Sequence, residues 1–272
     1  MGGITDFHTH AFPDELAPRA IQVLHEGQGD GAPGPVLDGT VSGLLRSMDR
    51  AGVERSAICS IATAPKQVEP ILRWSLGIRS PRIVPFPSVH PGAPDAPADV
   101  ARIAASGLPG VKLHAQYQGF ALDDRRMWPI YRAIAESGLI LTLHTGLDFT
   151  FPDNDERSHP ARALAVHRAF PDMRLVVTHM GGWRRWEAVL RTLAGTDVYM
   201  ETSYSLHMAA PELLAQIVRK HSPQRILFGT DSPWRDQAEE IGRVRRVFPD
   251  PEVQRLVLCE NAARLLDAGG VR

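Results

Sequence analysis

The stretch Met127-Trp128-Pro129-Ile130-Tyr131-Arg132-Ala133-Ile134-Ala135-Glu136-Ser137-Gly138-Leu139-Ile140-Leu141-Thr142-Leu143-His144 contains the unit from which the fold can be read. Met127, Ile130, Tyr131 and Ile134 follow the i, i+3, i+4, i+7 spacing of a helix that buries one face. Gly138 stops that helix, and Leu139–His144 reads as a short apolar strand of the kind found in parallel sheets covered by helices. Working outward, the same order recurs. Val41, Leu44, Leu45 and Met48 form a stripe, Gly52 ends it, and Val53–Ile61 follows as a strand. Pro211 opens a helix carrying Leu213, Leu214, Ile217 and Val218, and Ser222-Pro223 closes it before Arg225–Asp231.

Counting in this way predicts eight strands: Ile4–His10, Val53–Ile61, Arg82–Val89, Gly110–His114, Leu139–His144, Arg174–His179, Asp197–Thr202 and Arg225–Asp231. After the first they recur at roughly 30 residues, the size of one strand-helix unit. Eight such units fit an α/β fold of the (β/α)8 TIM-barrel type better than a doubly wound sheet. No internal repeat, low-complexity tract or linker divides the chain, so a single domain over 1–272 is expected. Two loops leave strand C-termini: a Gly/Pro-rich stretch at 25–39, and Phe149–His159, which is acidic in its middle.

Composition narrows the function classes. The 272 residues are 43% hydrophobic and 22% charged, ordinary for a globular protein with a full core. A net charge of −1 with no like-charge block gives no footprint for nucleic acid or an anionic membrane. Cys59 and Cys259 stand far apart with no pairing pattern, which fits a reducing cytoplasm. No secretion signal is read at the start, and no apolar run approaches the roughly 20 residues of a membrane span. A cytoplasmic protein acting on a small molecule is expected, and a homo-oligomer is compatible with this composition.

The polar residues at strand ends point to chemistry. In Asp6-Phe7-His8-Thr9-His10 two histidines one residue apart on a strand face the same way and bring two imidazoles to one point, as a metal chelate requires. Lys112 and His114 end the fourth strand, His144 the fifth, His179 the sixth and Asp231 the eighth. Taken singly, each has an ordinary reading: a rim histidine bonded to its neighbours, or, for Asp231, a helix cap or Asx turn. Together they place seven metal- or proton-competent groups on the C-terminal rim, where barrel active sites are built. Asp6 shares the alternation of His8 and His10 and reads as support for the ligands or as a buried structural carboxylate. Glu201, ending the seventh strand, reads as a pocket residue or a rim ion pair.

At these residues the chain resembles the amidohydrolase superfamily, in the amidohydrolase-related branch that includes aminocarboxymuconate-semialdehyde decarboxylase-like proteins. The matching pieces are Asp6–Pro13, Gly110-Val111-Lys112-Leu113-His114, Leu143-His144-Thr145-Gly146, Thr178-His179-Met180-Gly181-Gly182 and Phe228-Gly229-Thr230-Asp231-Ser232-Pro233-Trp234. Asn261–Leu266 is similar to the closing helix of that branch. The resemblance implies one divalent metal held by His8, His10, His144 and Asp231, with His179 beside it. Three neutral imidazoles and a carboxylate suit zinc first, and also iron, cobalt, nickel or manganese. In this reading Asp231 shuttles a proton, and His179 binds water or polarises the substrate. Lys112 takes one of two parts: carboxylated, it bridges two metals in a binuclear site; free, it pairs with a substrate carboxylate beside a single metal, which is the favoured reading.

His114 is expected on the pocket wall, with Trp183, Arg184 and Trp234 as substrate contacts. Arg185 and Arg235 lie beside them in sequence, and such arginines suit a partly apolar carboxylate. His159 and His207 stay as lesser candidates in rim loops, while His25, His90, His167 and His221 read as surface or helix residues. The expected function is a metal-dependent hydrolase of an amide, cyclic imide or lactone. The alternative is a decarboxylase of a small unsaturated or aromatic acid, disfavoured by the shortness of the chain. A non-catalytic binding protein on the same barrel is the third reading, opposed by retention of every ligand type.

Overall fold

The computed structural model describes residues 3–29 and 33–268 and contains all eight expected strands. They are β1 (Ile4–Thr9), β2 (Val53–Cys59), β3 (Ile83–Phe86), β4 (Gly110–Leu113), β5 (Ile140–Leu143), β6 (Arg174–Val177), β7 (Tyr199–Glu201) and β8 (Ile226–Leu227). The helices between and after them are α1 (Ala17–Gly27), α2 (Val41–Ala51), α3 (Val68–Ile78), α4 (Ala96–Ala105), α5 (Ala115–Gln118) and α6 (Trp128–Glu136). The second half carries α7 (Pro160–Ala169), α8 (Trp186–Thr192), α9 (Pro211–Lys220), α10 (Gln237–Val247), α11 (Pro251–Arg255) and α12 (Asn261–Asp267). No helix among the described residues is long and apolar enough to cross a membrane.

The defining stretch behaves as its pattern requires. Met127, Ile130, Tyr131 and Ile134 are all buried, and Gly138 leaves α6 with φ +63°, a backbone conformation that side chains disfavour. Helix α1 is the departure. It reaches into the Gly/Pro-rich stretch, which was read as loop, while residues 30–32 of that stretch lie outside the described residues.

Strands pair in parallel along β1–β2–β3 and along β4–β5–β6–β7–β8. Two seams join these ladders. The Lys112 N–H donates to Pro87 O at 2.9 Å, and the N–H groups of Phe7 and Asp231 donate to Phe228 O and His8 O, each at 2.8 Å. The sheet therefore closes on itself as a (β/α)8 barrel.

In β1, Asp6 pairs with Ser56 but Thr9 with Ile58, so one extra residue is accommodated as a bulge. Consequently Phe7 and His8 both face inward. Phe7 packs with Ala57, Phe86, Ile140, Val176 and Leu227, while His8 reaches Lys112 from the far wall. Asp6 turns outward instead and accepts from Thr230 and from Gln237 of α10, which corrects the expectation that it shares the orientation of His8 and His10. Helix α12 closes the floor: Ala262 and Leu265 join the Phe7 layer, and the Asn261 amide donates to the carbonyls of Pro223 and Ile226.

The strands end earlier than their apolar runs suggest. His144, His179 and Asp231 stand just beyond β5, β6 and β8. His179 has φ +58° and Asp231 φ +65°, conformations that no strand can continue. Such strained residues cluster where a side chain must be aimed.

Candidate metal centre

His8, His10, Lys112, His144, His179 and Asp231 all line one cavity of about 700 Å³ at the C-terminal mouth of the barrel. Within it, ligand atoms of His8, His10 and Asp231 lie within 4.8 Å of one another. His179 lies close by, its ring centroid 5.4 Å from that of His8 and 4.9 Å from that of His144.

The outer nitrogens fix the inner ones. A carbonyl or carboxylate can only accept, so a ring nitrogen facing one carries the proton and leaves a lone pair on the other. His8 Nδ1 donates to Glu201 Oε1 at 2.9 Å, and His10 Nδ1 to Cys59 O at 2.7 Å. His144 Nε2 donates to Leu147 O at 3.0 Å, and His179 Nδ1 to Ser203 O at 3.1 Å. Four lone pairs therefore point into the cavity. That of His10 faces Asp231 Oδ1 at 3.1 Å, and those of His144 and His179 face each other at 3.2 Å. Lone pairs aimed at one another and at a carboxylate repel unless a cation lies between them, so this donor set fits a divalent metal.

Burial pushes His8, His114 and His144 well below the ordinary imidazole range, keeping them neutral as ligation requires. Burial opposes charge on Asp231, and positive charge at His8 and His10 is what lowers its carboxyl below the usual carboxylate range; with neutral imidazoles that charge would come from a bound metal. Burial also lowers the Lys112 amine, whose Nζ lies 3.2 Å from His8 Nε2. Asp6, outside the barrel wall, is pushed up to about 7 by burial despite its hydrogen bonds.

Glu201 works from behind the cavity. Besides His8 it accepts from the His179 backbone N–H at 2.9 Å and from Ser203 Oγ at 2.7 Å, so one carboxylate orients the His8 imidazole and fixes the main chain at His179. Ser203 also touches His8 Nδ1 and His179 Nδ1, and sequence reasoning missed it. A Cβ on Gly229 would collide with the Glu201 carboxylate, so that close approach requires glycine.

The expected substrate contacts divide. Trp183 and Trp234 line the cavity, as does His114, which stacks on His144 with centroids 3.8 Å apart and faces Asp148 at 3.4 Å. Arg184 does not; it is 45% exposed and pairs with Asp153. Arg185 pairs with Glu156, and Arg235 with Glu240. The cations on the cavity wall are Lys112 and Arg19. Arg19 belongs to α1, whose signal was the apolar spacing of Leu16, Ala20, Val23 and Leu24. The His159 side chain caps α7, and His221, read as a surface or helix residue, is buried at the end of α9.

No curated protein matches the chain in sequence. Solved structures do resemble it. An uncharacterized TIM-barrel protein from Bordetella bronchiseptica superposes with a TM-score of 0.75 at 18% identity, covering 98% of this chain and 99% of that one. The 2,6-dihydroxybenzoate decarboxylase from Rhizobium gives 0.69 at 16% identity, covering 99% and 100%. A 5-carboxyvanillate decarboxylase variant from Novosphingobium aromaticivorans, bound to manganese and 3-methoxy-4-hydroxy-5-nitrobenzoic acid, gives 0.72 at 16% identity, covering 97% of each chain. At such identities the likeness establishes the shared barrel. The model of the amidohydrolase family, in contrast, matches residues 5–268, and the chain belongs to that family.

Proposed function

We propose that this protein is a metal-dependent lyase that removes CO2 from a small aromatic or unsaturated carboxylic acid. The observation that carries the reading is Lys112. Its amine is buried, contacts a lone pair of His8, and has no carboxylate in ion-pair range among the described residues. A buried amine in that position gains most from an incoming anion. Around it, Phe12, Phe149, Trp183, Tyr204 and Trp234 offer faces and edges for a flat ring. The decarboxylases that share the barrel support this reading, and alignment over 97–100% of their chains removes the argument from length.

His8, His10, His144 and Asp231 would hold the metal, with manganese joining zinc as a candidate because one such relative binds it. When bound, a divalent cation supplies Lewis-acid stabilisation of negative charge in the substrate. Lys112 would grip the carboxylate while the aromatic walls orient the ring and exclude water. Breaking the bond to CO2 leaves an electron pair on the ring carbon, and a proton must be delivered there. Asp231, against His10 and on the cavity wall, is placed to pass that proton, and Glu201 and Ser203 keep His8 and His179 aimed.

Hydrolysis of an amide, imide or lactone is the second reading, favoured by the Asp231 carboxylate, which lies against His10 on the cavity wall and is placed to accept a proton there. The test is product analysis of metal-loaded protein in heavy water with hydroxylated aromatic acids, unsaturated acids, lactones and imides. CO2 release with deuterium at the vacated carbon is expected. Ring opening of a lactone or imide, with no CO2 from any acid, would overturn the lyase reading in favour of hydrolysis.

A further inference from the structure

The cavity does not stop at the metal-ligating residues. His8 and Lys112 are buried at its floor, yet the same cavity is lined by Leu16, Ala20 and Val23 of the α1 segment and by Ile71 and Trp74 of α3. Leu16 and Val23 are 56% and 57% exposed, which is unusual for large apolar side chains lining a concave surface. The α1 residues fall on one helix face, at i, i+4 and i+7 from Leu16. Arg19, also on the wall, has no ion-pair partner among the described residues. A polar, enclosed floor thus continues into an apolar, open lip. The volume, about 700 Å³, lies in the range that holds drug-sized ligands rather than a single ring.

We infer that the substrate carries an apolar extension, an alkyl chain or second ring, which lies along α1 and α3, and that Leu16, Val23 and Trp74 set its preferred length. This inference rests on the proposed function only for the reacting end of the molecule. The occupant is identified by continuity: the apolar lip opens onto the same space as Lys112, so a ligand anchored at the floor projects directly onto it.

The experiment is a calorimetric titration of metal-loaded protein with benzoate, 4-ethyl-, 4-butyl- and 4-hexylbenzoate, and neutral 4-hexylbenzyl alcohol. Affinity is expected to rise about fourfold per buried methylene, the fold-change equivalent to ~0.8 kcal/mol. Leu16→Ser with Val23→Ser, both exposed positions, should flatten the series while melting temperature stays unchanged. Trp74→Ala should flatten it too. Equal affinity for benzoate and 4-hexylbenzoate overturns the inference, as does a chain-length gain that survives all three substitutions. A loss of self-association in the double variant, with the series unaltered, also overturns it and assigns the lip to a second copy of the chain. If hexylbenzyl alcohol binds as tightly as hexylbenzoate, the extension stands and the carboxylate reading fails. If every acid binds alike and the alcohol does not bind, the reverse holds.

Discussion

His144 Nδ1 and His179 Nε2 face each other at 3.2 Å with no proton to share, because each ring spends its N–H on a carbonyl, of Leu147 and of Ser203 respectively. A metal cation between or beside the rings would relieve the repulsion of those two lone pairs. Purified protein should therefore contain about one equivalent of a divalent transition metal, measured by elemental analysis. Removing it with a chelator should lower the melting temperature, and His8→Ala combined with His10→Ala should abolish uptake. Protein that neither contains nor takes up metal contradicts this assignment, and two equivalents with a carboxylated Lys112 would indicate the binuclear site.

Asp231→Asn keeps shape and one oxygen but removes the proton carrier. Turnover should fall by about 10²-fold or more while metal content is largely kept. Single-turnover kinetics on metal-replete variant would check this, and near-normal turnover would exclude the shuttle role.

Lys112→Met conserves length and removes the cation. The Michaelis constant for an acid substrate should rise roughly ten- to a hundredfold, the equivalent of about 1.5–3 kcal/mol for a charge-assisted contact. Stability should hold or increase, because a buried amine with a single neutral neighbour is replaced by an apolar chain. A lowered melting temperature with an unchanged Michaelis constant would make Lys112 a structural residue.

The arginines once expected to greet the substrate should behave differently from one another. Arg184→Ala removes an exposed pair with Asp153, worth about 1 kcal/mol at most, and should change neither melting temperature nor Michaelis constant appreciably. Arg235→Ala takes a partner from the buried Glu240 and should lower the melting temperature without affecting substrate affinity. A marked rise in Michaelis constant in either variant would return these residues to the binding site.

His221 supplies a pH dependence far from the metal ligands. Burial pushes its imidazole down to about 4 from the ordinary 6.5, against hydrogen bonding of the ring to the backbone at Val198 and Arg225. Between those values the unfolded chain binds the proton and the folded one does not. Stability from this group is therefore complete above pH 6.5 and is lost as the pH falls towards 4. His207, also lowered to about 4 by burial, adds in the same direction. Urea unfolding of His221→Gln should show an acid loss smaller by up to on the order of 3 kcal/mol. An identical acid loss in variant and parent would refute this account.

The strands were legible because parallel strands leave an unbroken apolar signature, and the helices because Gly52, Gly138 and Pro211 mark their limits. Strand ends were overestimated where an apolar run continues into residues with positive φ, as at His179 and Asp231, since periodicity carries no information on handedness. Asp6 was misplaced because alternation assumes an unbroken register, which the bulge in β1 interrupts. The imidazoles could be read from residue type and position. Ser203 could not, because its importance lies in partners distant in sequence, and Arg19 comes into view only when the spacing of Leu16, Ala20, Val23 and Leu24 is read as a helix. The fate of Arg184 and Arg185 did leave a trace: the acidic middle of the Phe149–His159 loop holds Asp153 and Glu156, which pair with them.

The bulge in β1 gives the barrel interior two storeys with separate tenancies. Without the extra residue, a single strand would have to choose between filling the lower storey with Phe7 and furnishing the upper one with His8. With it, adjacent residues do both, and the lower storey of Phe7, Phe86, Ile140 and Val176 holds up the upper without sharing any of its polar contacts. Variation in the filling below and variation in the reaction above can then proceed independently, provided the length of the chain between Asp6 and Thr9 is kept.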